Sequence, residues 1–89
     1  MVTPATRAVV SVRFPFSDLS RTKLRPAVIL ADSGRDDWIL CQVTSYARPG
    51  KLFTANRELM MDQVGTLNEE AFKQIIEAIV TVLRSGLAF

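Results

Sequence analysis

The chain has 89 residues, 48 % of them hydrophobic, with a formal net charge of +2, one Cys and no His. This length and composition predict a single domain over residues 1–89 with one small core. The missing His and the single Cys exclude a Cys/His zinc site and an internal disulfide, and no apolar run reaches the roughly 20 residues of a membrane helix. Without a charged and then apolar leader, we expect a cytoplasmic protein with no membrane contact.

Positive charge is concentrated in the first part of the chain. Residues 1–57 contain nine Lys or Arg and four Asp or Glu, whereas residues 58–89 contain two and five. The segment SDLSRTKLR, residues 17–25, lies between two apolar runs and carries three cations against one acid. Such polarity can draw a polyanion to one region of a surface, although a basic loop by itself is more often only solvated.

Alternating apolar and β-branched residues predict a strand-rich N-terminal half. The predicted strands are residues 8–14, 25–31, 38–44 and 51–54, with the neighbours of Val64 as a candidate fifth. Polar and Gly-containing turn signals at residues 32–37 and 47–50 separate them. The second and third strands are therefore expected to form a hairpin, in which Cys41 is buried and Trp38 half-buried.

After Gly65 the period of the apolar residues changes from two to 3.6, which predicts an amphipathic helix over residues 68–84. Its expected apolar face comprises Phe72, Ile75, Ile76, Ile79, Val80 and Leu83. Asn68 fits an N-cap and Gly86 fits a C-terminal stop. We expect this helix to cover one open end of a small sheet, with partner binding as the alternative.

Most familiar sets of catalytic residues are excluded by their absence from the sequence. The chain has no His, no Gly-rich phosphate loop and no spaced acidic cluster for magnesium. Positioned Arg and hydroxyl groups remain, and they can support cleavage of a phosphodiester by the neighbouring 2′-hydroxyl of RNA. In that reaction the substrate supplies the nucleophile, so neither a metal nor a cofactor is expected.

Four segments together resemble the PemK/MazF family of toxin endoribonucleases from type II toxin–antitoxin systems. They are FPFSDLS at residues 14–20, KLRPAVIL at 23–30, CQVTS at 41–45 and VGTL at 64–67. The resemblance implies a mainly β fold with α, namely an SH3-like small β-barrel with a C-terminal amphipathic helix. It also implies a homodimer, metal-independent cleavage of single-stranded RNA, and a cognate antitoxin protein that covers the RNA groove and provides the only link to DNA.

The family pattern also implies roles for particular residues. Arg25 matches the catalytic arginine, and Thr44 matches the catalytic hydroxyl residue. The residues expected to bind RNA are Ser17, Ser20, Arg21, Lys23 and Ser45. The structural alternatives are that Arg25 merely opens a strand before Pro26 and that Thr44 merely ends the next one.

The chain departs from the family pattern after Thr44 and Ser45, where the central segment is shorter. A barrel that lacks strands exposes edges, so we expect self-association by two-fold pairing of edges or by exchange of residues 51–54 or of the helix 68–84. The departure also leaves two other functions open. One is a catalytically inactive SH3-like barrel that binds RNA or an antitoxin peptide, and the other is a generic protein-interaction module of that shape.

Overall fold

The structure, a computed structural model, describes residues 3–14, 23–44 and 46–87. In this part of the chain the elements are β1 (Ala8–Phe14), β2 (Lys23–Gly34), β3 (Asp37–Val43), β4 (Ala47–Asn56), a 3₁₀ turn (Arg57–Leu59), β5 (Met60–Thr66) and α1 (Glu69–Ser85). Within these ranges, no helix is both long enough and apolar enough to cross a membrane.

The strands form one antiparallel sheet in the order β4-β3-β2-β1-β5. The predicted mainly β fold with a C-terminal helix is therefore confirmed. Among the described strands, β4 and β5 form the two edges, so the hydrogen-bond ladder does not close into a complete barrel. The 3₁₀ turn carries the chain directly from one edge strand to the other.

The hairpin between β2 and β3 is longer than the sequence predicts. Pairing continues through Asp32 with Trp38 and Gly34 with Asp37, although residues 32–37 read as a turn. The turn itself is only Arg35 and Asp36, which have φ angles of 55° and 64°. Positive φ at both central residues is typical of the two-residue turns whose twist matches that of paired strands.

The prediction of a turn at residues 47–50 is wrong, because these residues form the beginning of β4. Val43 pairs directly with Ala47, and a register shift between Cys41 and Val43 absorbs the extra residues of β4. Pro49 is tolerated there since β4 is an edge strand, where a missing N–H need not break a ladder. The short central segment is thus a tight connection between two paired strands.

Strand alternation divides the apolar side chains between the two faces of the sheet. One face, which we call the interior face, carries Ala8, Val10, Val12, Ala27, Ile29, Leu40, Ala55 and Met60. The other, the helix face, carries Val28, Leu30 and Cys41, which pack with Ile79 of α1. Trp38 packs half-buried against the interior cluster and Cys41 is fully buried, as predicted.

Both ends of α1 are confirmed. The Asn68 side chain accepts a hydrogen bond from the main-chain N–H of Ala71 at 2.8 Å, and Gly86 is the C-cap residue. The Asn68 oxygen thereby satisfies one of the N–H groups that have no partner inside a helix. Glu69 and Glu70 occupy the first turn, where the helix dipole favours negative charge.

The apolar side of α1 is covered along only part of its length. Phe72, Ile75 and Ile76 pack against the helix-face cluster, as predicted, but Val80 and Leu83 are 41 % and 63 % exposed. The helix therefore lies on one face of the sheet, whereas the sequence predicts that it covers an open end. Its C-terminal half extends past the surface that buries the N-terminal half.

Candidate functional site

Arg25 lies on the interior face, where the apolar core of the sheet ends. It pairs with Val12 of β1, and the next residues of β2 on the same side are Ala27 and Ile29, all three in the interior cluster. Alternate residues of a strand share a face, so Arg25 has the same orientation. Its side chain is half-buried, as expected for an arginine whose stem packs on apolar neighbours while the guanidinium reaches solvent.

Thr44 lies one residue beyond β3, at the same end of the interior face. The last pair between β2 and β3 is Ala27 with Gln42, so Arg25 and Thr44 each lie two residues beyond that pair, at the same end of the two strands. The main-chain N–H of Thr44 donates to the carbonyl of Tyr46 at 2.9 Å. The Thr44 hydroxyl is 3.5 Å from that carbonyl, at the outer limit of a hydrogen bond, and remains free to bind another group.

The predicted RNA-binding residues lie largely beyond what the structure describes. Ser17, Ser20, Arg21 and Ser45 are outside the described residues. Lys23 is the first residue of β2 and pairs with Phe14, so its backbone enters the sheet two residues before Arg25. The RNA-binding roles of all five residues, like the catalytic roles of Arg25 and Thr44, stay predictions.

Gln42 and Lys51, which are not among the predicted site residues, also lie on this face. Gln42 follows Trp38 and Leu40 in the alternation of β3, and it is half-buried opposite Ala27. Lys51 follows the alternation of β4 from Ala55 through Phe53 and is exposed. The signal for Gln42 was an amide at a strand position where the period of two calls for an apolar residue.

Two arginines outside the site have carboxylate partners. Arg57 pairs with Asp36 and Arg7 with Glu69, each at 3.7 Å. Among the described residues, Arg25 has no carboxylate partner within salt-bridge distance. An unneutralised guanidinium at the rim of an apolar cluster is suited to binding a phosphate, which it can contact through two N–H groups at once.

The helix face offers a different kind of concavity. An open groove of about 320 Å³ lies between α1 and the beginning of β4, lined mainly by apolar groups such as Pro49, Leu67 and Ile75. Behind β4, the Cys41 thiol donates a hydrogen bond to the carbonyl of Arg48 at 3.1 Å. Burial raises the pKa of this thiol, so it stays protonated at neutral pH and is a poor nucleophile.

No protein-family model and no curated protein sequence matches the chain. Among solved structures, it is similar to an endoribonuclease in complex with its cognate antitoxin from a Mycobacterial species. The TM-score is 0.67 at 17 % sequence identity, over 100 % of this chain and 97 % of that chain. At this identity the likeness shows a common fold alone, and it agrees with the mainly β fold and C-terminal helix that the PemK/MazF resemblance implies.

Proposed function

We propose that this protein is the toxin of a type II toxin–antitoxin system and cleaves single-stranded RNA without a metal ion. The observation that carries the proposal is that Arg25 and Thr44 lie two residues beyond the last pair of β2 and β3, Ala27 with Gln42, at the same end of the sheet. It is supported by the fold, which is that of an endoribonuclease bound to its antitoxin. The same likeness supports a cognate antitoxin as the protein partner.

The proposed reaction is a transfer within the RNA. The 2′-hydroxyl oxygen bonds to the adjacent phosphorus and loses its proton to solvent, while the bond from phosphorus to the 5′-oxygen breaks and that oxygen takes up a proton. An arginine guanidinium has only N–H donors and no site that can accept a proton. The role of Arg25 is therefore to neutralise the charge that grows on the phosphoryl oxygens. Thr44 donates a hydrogen bond to one of those oxygens or positions the 2′-hydroxyl, and the segment from Ser17 to Lys23 together with Ser45 holds the neighbouring backbone.

The decisive experiment is cleavage of a single-stranded RNA by the purified protein in the presence of a chelator. The expected products end in a 2′,3′-cyclic phosphate and a 5′-hydroxyl, and a DNA strand of the same sequence stays intact because it lacks the attacking group. Arg25→Ala should slow the reaction by roughly 100- to 1,000-fold, the usual effect of removing one donor that stabilises a transition-state oxyanion.

A matched control is available one strand away. Arg13 pairs with Leu24, next to the pair of Val12 and Arg25, but alternation directs its exposed side chain to the helix face. Arg13→Ala should therefore cleave at nearly the parental rate. If Arg25→Ala also cleaves at that rate, the site is misplaced. RNA binding without cleavage by the parental protein would favour the catalytically inactive alternative.

The exposed end of α1 supports the homodimer that forms part of this proposal. Val80 and Leu83 follow the spacing i, i+3 near the end of α1 and are 41 % and 63 % exposed, and Leu87, just beyond the helix, is 78 % exposed. A helix stripe of this kind is stabilised when a second copy covers it. Leu83→Ser should shift sedimentation toward the monomer over a broad dilution range, whereas Lys73→Ser, on the exposed side of α1, should not. A parental protein that stays a folded monomer at every concentration contradicts the homodimer and the proposed exchange of strands or helices.

A further inference from the structure

We propose that Gln42 contacts the substrate and reads the edge of a base next to the scissile phosphate. This inference rests on the proposed function and adds to it a residue that decides which RNA sequence is accepted. It starts from the register of the sheet, which brings Gln42 to the same face and the same end as Arg25 and Thr44.

The position of Gln42 follows from the alternation of β3 and its pairing with β2. β3 has no extra residue between Trp38 and Val43, so its alternation is unbroken and Gln42 projects to the interior face after Leu40. Its partner on β2 is Ala27, two residues from Arg25. Gln42 therefore lies two residues before Thr44 and opposite Ala27, which is two residues after Arg25. This places it between the apolar residues of the interior face and the groups proposed to hold the phosphate.

The Gln42 amide is available to a ligand. It is half-buried beside the fully buried Ala27 and Leu40, and its side chain makes no hydrogen bond with any residue that the structure describes. A primary amide held against apolar groups gains stability when a ligand satisfies its donors and acceptor.

The chemistry of the amide distinguishes Gln42 from its neighbours in the site. Arg25 and Lys51 present only donors, which match phosphate oxygens, whereas the amide presents a carbonyl acceptor and an NH₂ donor in one plane. The exposed edges of unpaired bases carry the complementary donor and acceptor pairs, and reading those edges gives RNA-binding proteins their sequence preference. Gln42 is thus better suited to a base edge than Arg25 or Lys51.

The test is a cleavage profile on a single-stranded RNA library randomised around the cut site. Gln42→Leu removes the amide but keeps a side chain of similar size, and Gln42→Glu keeps the size but replaces the donor with an acceptor. We expect Gln42→Leu to reduce discrimination by roughly ten- to a hundredfold at one position beside the cleaved bond. Gln42→Glu should instead shift the preference at that position toward bases that present a donor.

Gln74→Leu is the matched control, since Gln74 lies on α1 in the groove of the helix face. Its profile should equal the parental one, and thermal unfolding of all three variants checks their fold. If the parental protein cleaves and both Gln42 variants keep its base preference, this inference is overturned while the proposed function stands. If the parental protein does not cleave RNA at all, the proposed function fails and the role of Gln42 fails with it.

Discussion

The two faces of the sheet carry apolar clusters of the same kind but end in different ways. On the helix face, Val28, Leu30 and Cys41 are covered by α1 and end in an apolar groove. On the interior face, the apolar residues end at Arg25 and at the positions of Gln42 and Thr44. The helix face is thus used for packing, whereas the interior face presents polar groups at the edge of a packed apolar cluster. Such a cluster holds those groups in place, which catalysis requires.

Strand register alone separates these two surfaces. Arg25, Ala27 and Ile29 project to one side of β2, and Val28 and Leu30 project to the other. A slip of one residue would exchange the two sets and bury the guanidinium under the helix. The fully buried residues on either side of β2 prevent such a slip, so the core that stabilises the fold also fixes the orientation of the candidate site.

The largest expected effect is on the stability of the interior face. Leu40→Ala should reduce the free energy of unfolding by about 2–5 kcal/mol, because Leu40 is fully buried and its removal leaves a cavity. Leu24→Ala, at a side chain that is 55 % exposed on β2, should change it by less than about 1 kcal/mol. Urea denaturation measures both. Equal effects would show that the interior face is not a packed apolar cluster.

A second substitution separates chemistry from packing at the same end of the sheet. Thr44→Val removes the hydroxyl but keeps the shape, and should slow RNA cleavage by roughly 100-fold. Because Thr44 is exposed, the free energy of unfolding of Thr44→Val should stay within about 0.5 kcal/mol of the parental value. The control is Thr54→Val, at an exposed position of β4. The measurement is the single-turnover rate of RNA cleavage. If Thr44→Val cleaves at the parental rate, the Thr44 hydroxyl has no part in the mechanism.

The packing of the helix face can be weakened through the N-cap of α1, the helix that covers it. Asn68→Ala removes the hydrogen bond to the N–H of Ala71 and should reduce the free energy of unfolding by about 1 kcal/mol. Asn68→Asp keeps an acceptor and adds a negative charge that the helix dipole favours, so it should be close to neutral. Cleavage should persist in both variants. Loss of activity in a folded Asn68→Ala protein would show that the two faces are not independent.

The smallest expected effect concerns the buried thiol of the helix face. Burial raises the pKa of Cys41 in the folded chain, so the unfolded chain loses this proton first as the pH rises. The protonated Cys41 thiol contributes its full stability below the ordinary thiol pKa of about 8.5. This contribution is lost as the pH rises from that value through the raised pKa of the thiol in the folded chain. Between pH 7 and pH 10 the midpoint temperature of thermal unfolding should therefore fall more steeply for the parental protein than for Cys41→Ala. Parallel curves would contradict a buried, neutral thiol.

Local patterns were enough to predict the elements whose bounds depend on the chain itself. β1 has the predicted range, and α1 begins after Asn68 and ends before Gly86, because alternation, the 3.6-residue period and capping act over a few residues. The same patterns failed at residues 47–50, where Pro49 and Gly50 read as a turn. Pairing of Ala47 with Val43 overrides that preference, since cross-strand hydrogen bonds and burial outweigh turn propensity.

For the candidate site, the sequence by itself determined which residues to consider, since its motifs pointed to Arg25 and Thr44 and its lack of His excluded most other chemistry. Only the tertiary structure decided that Arg25 and Thr44 lie at the same end of the sheet and that Gln42 pairs with Ala27 beside them. Alternation along one strand shows which of its residues share a face, but it does not show which residues of two strands lie opposite each other. That choice follows from register, which the buried side chains on both faces of β2 and β3 fix by excluding every other alignment.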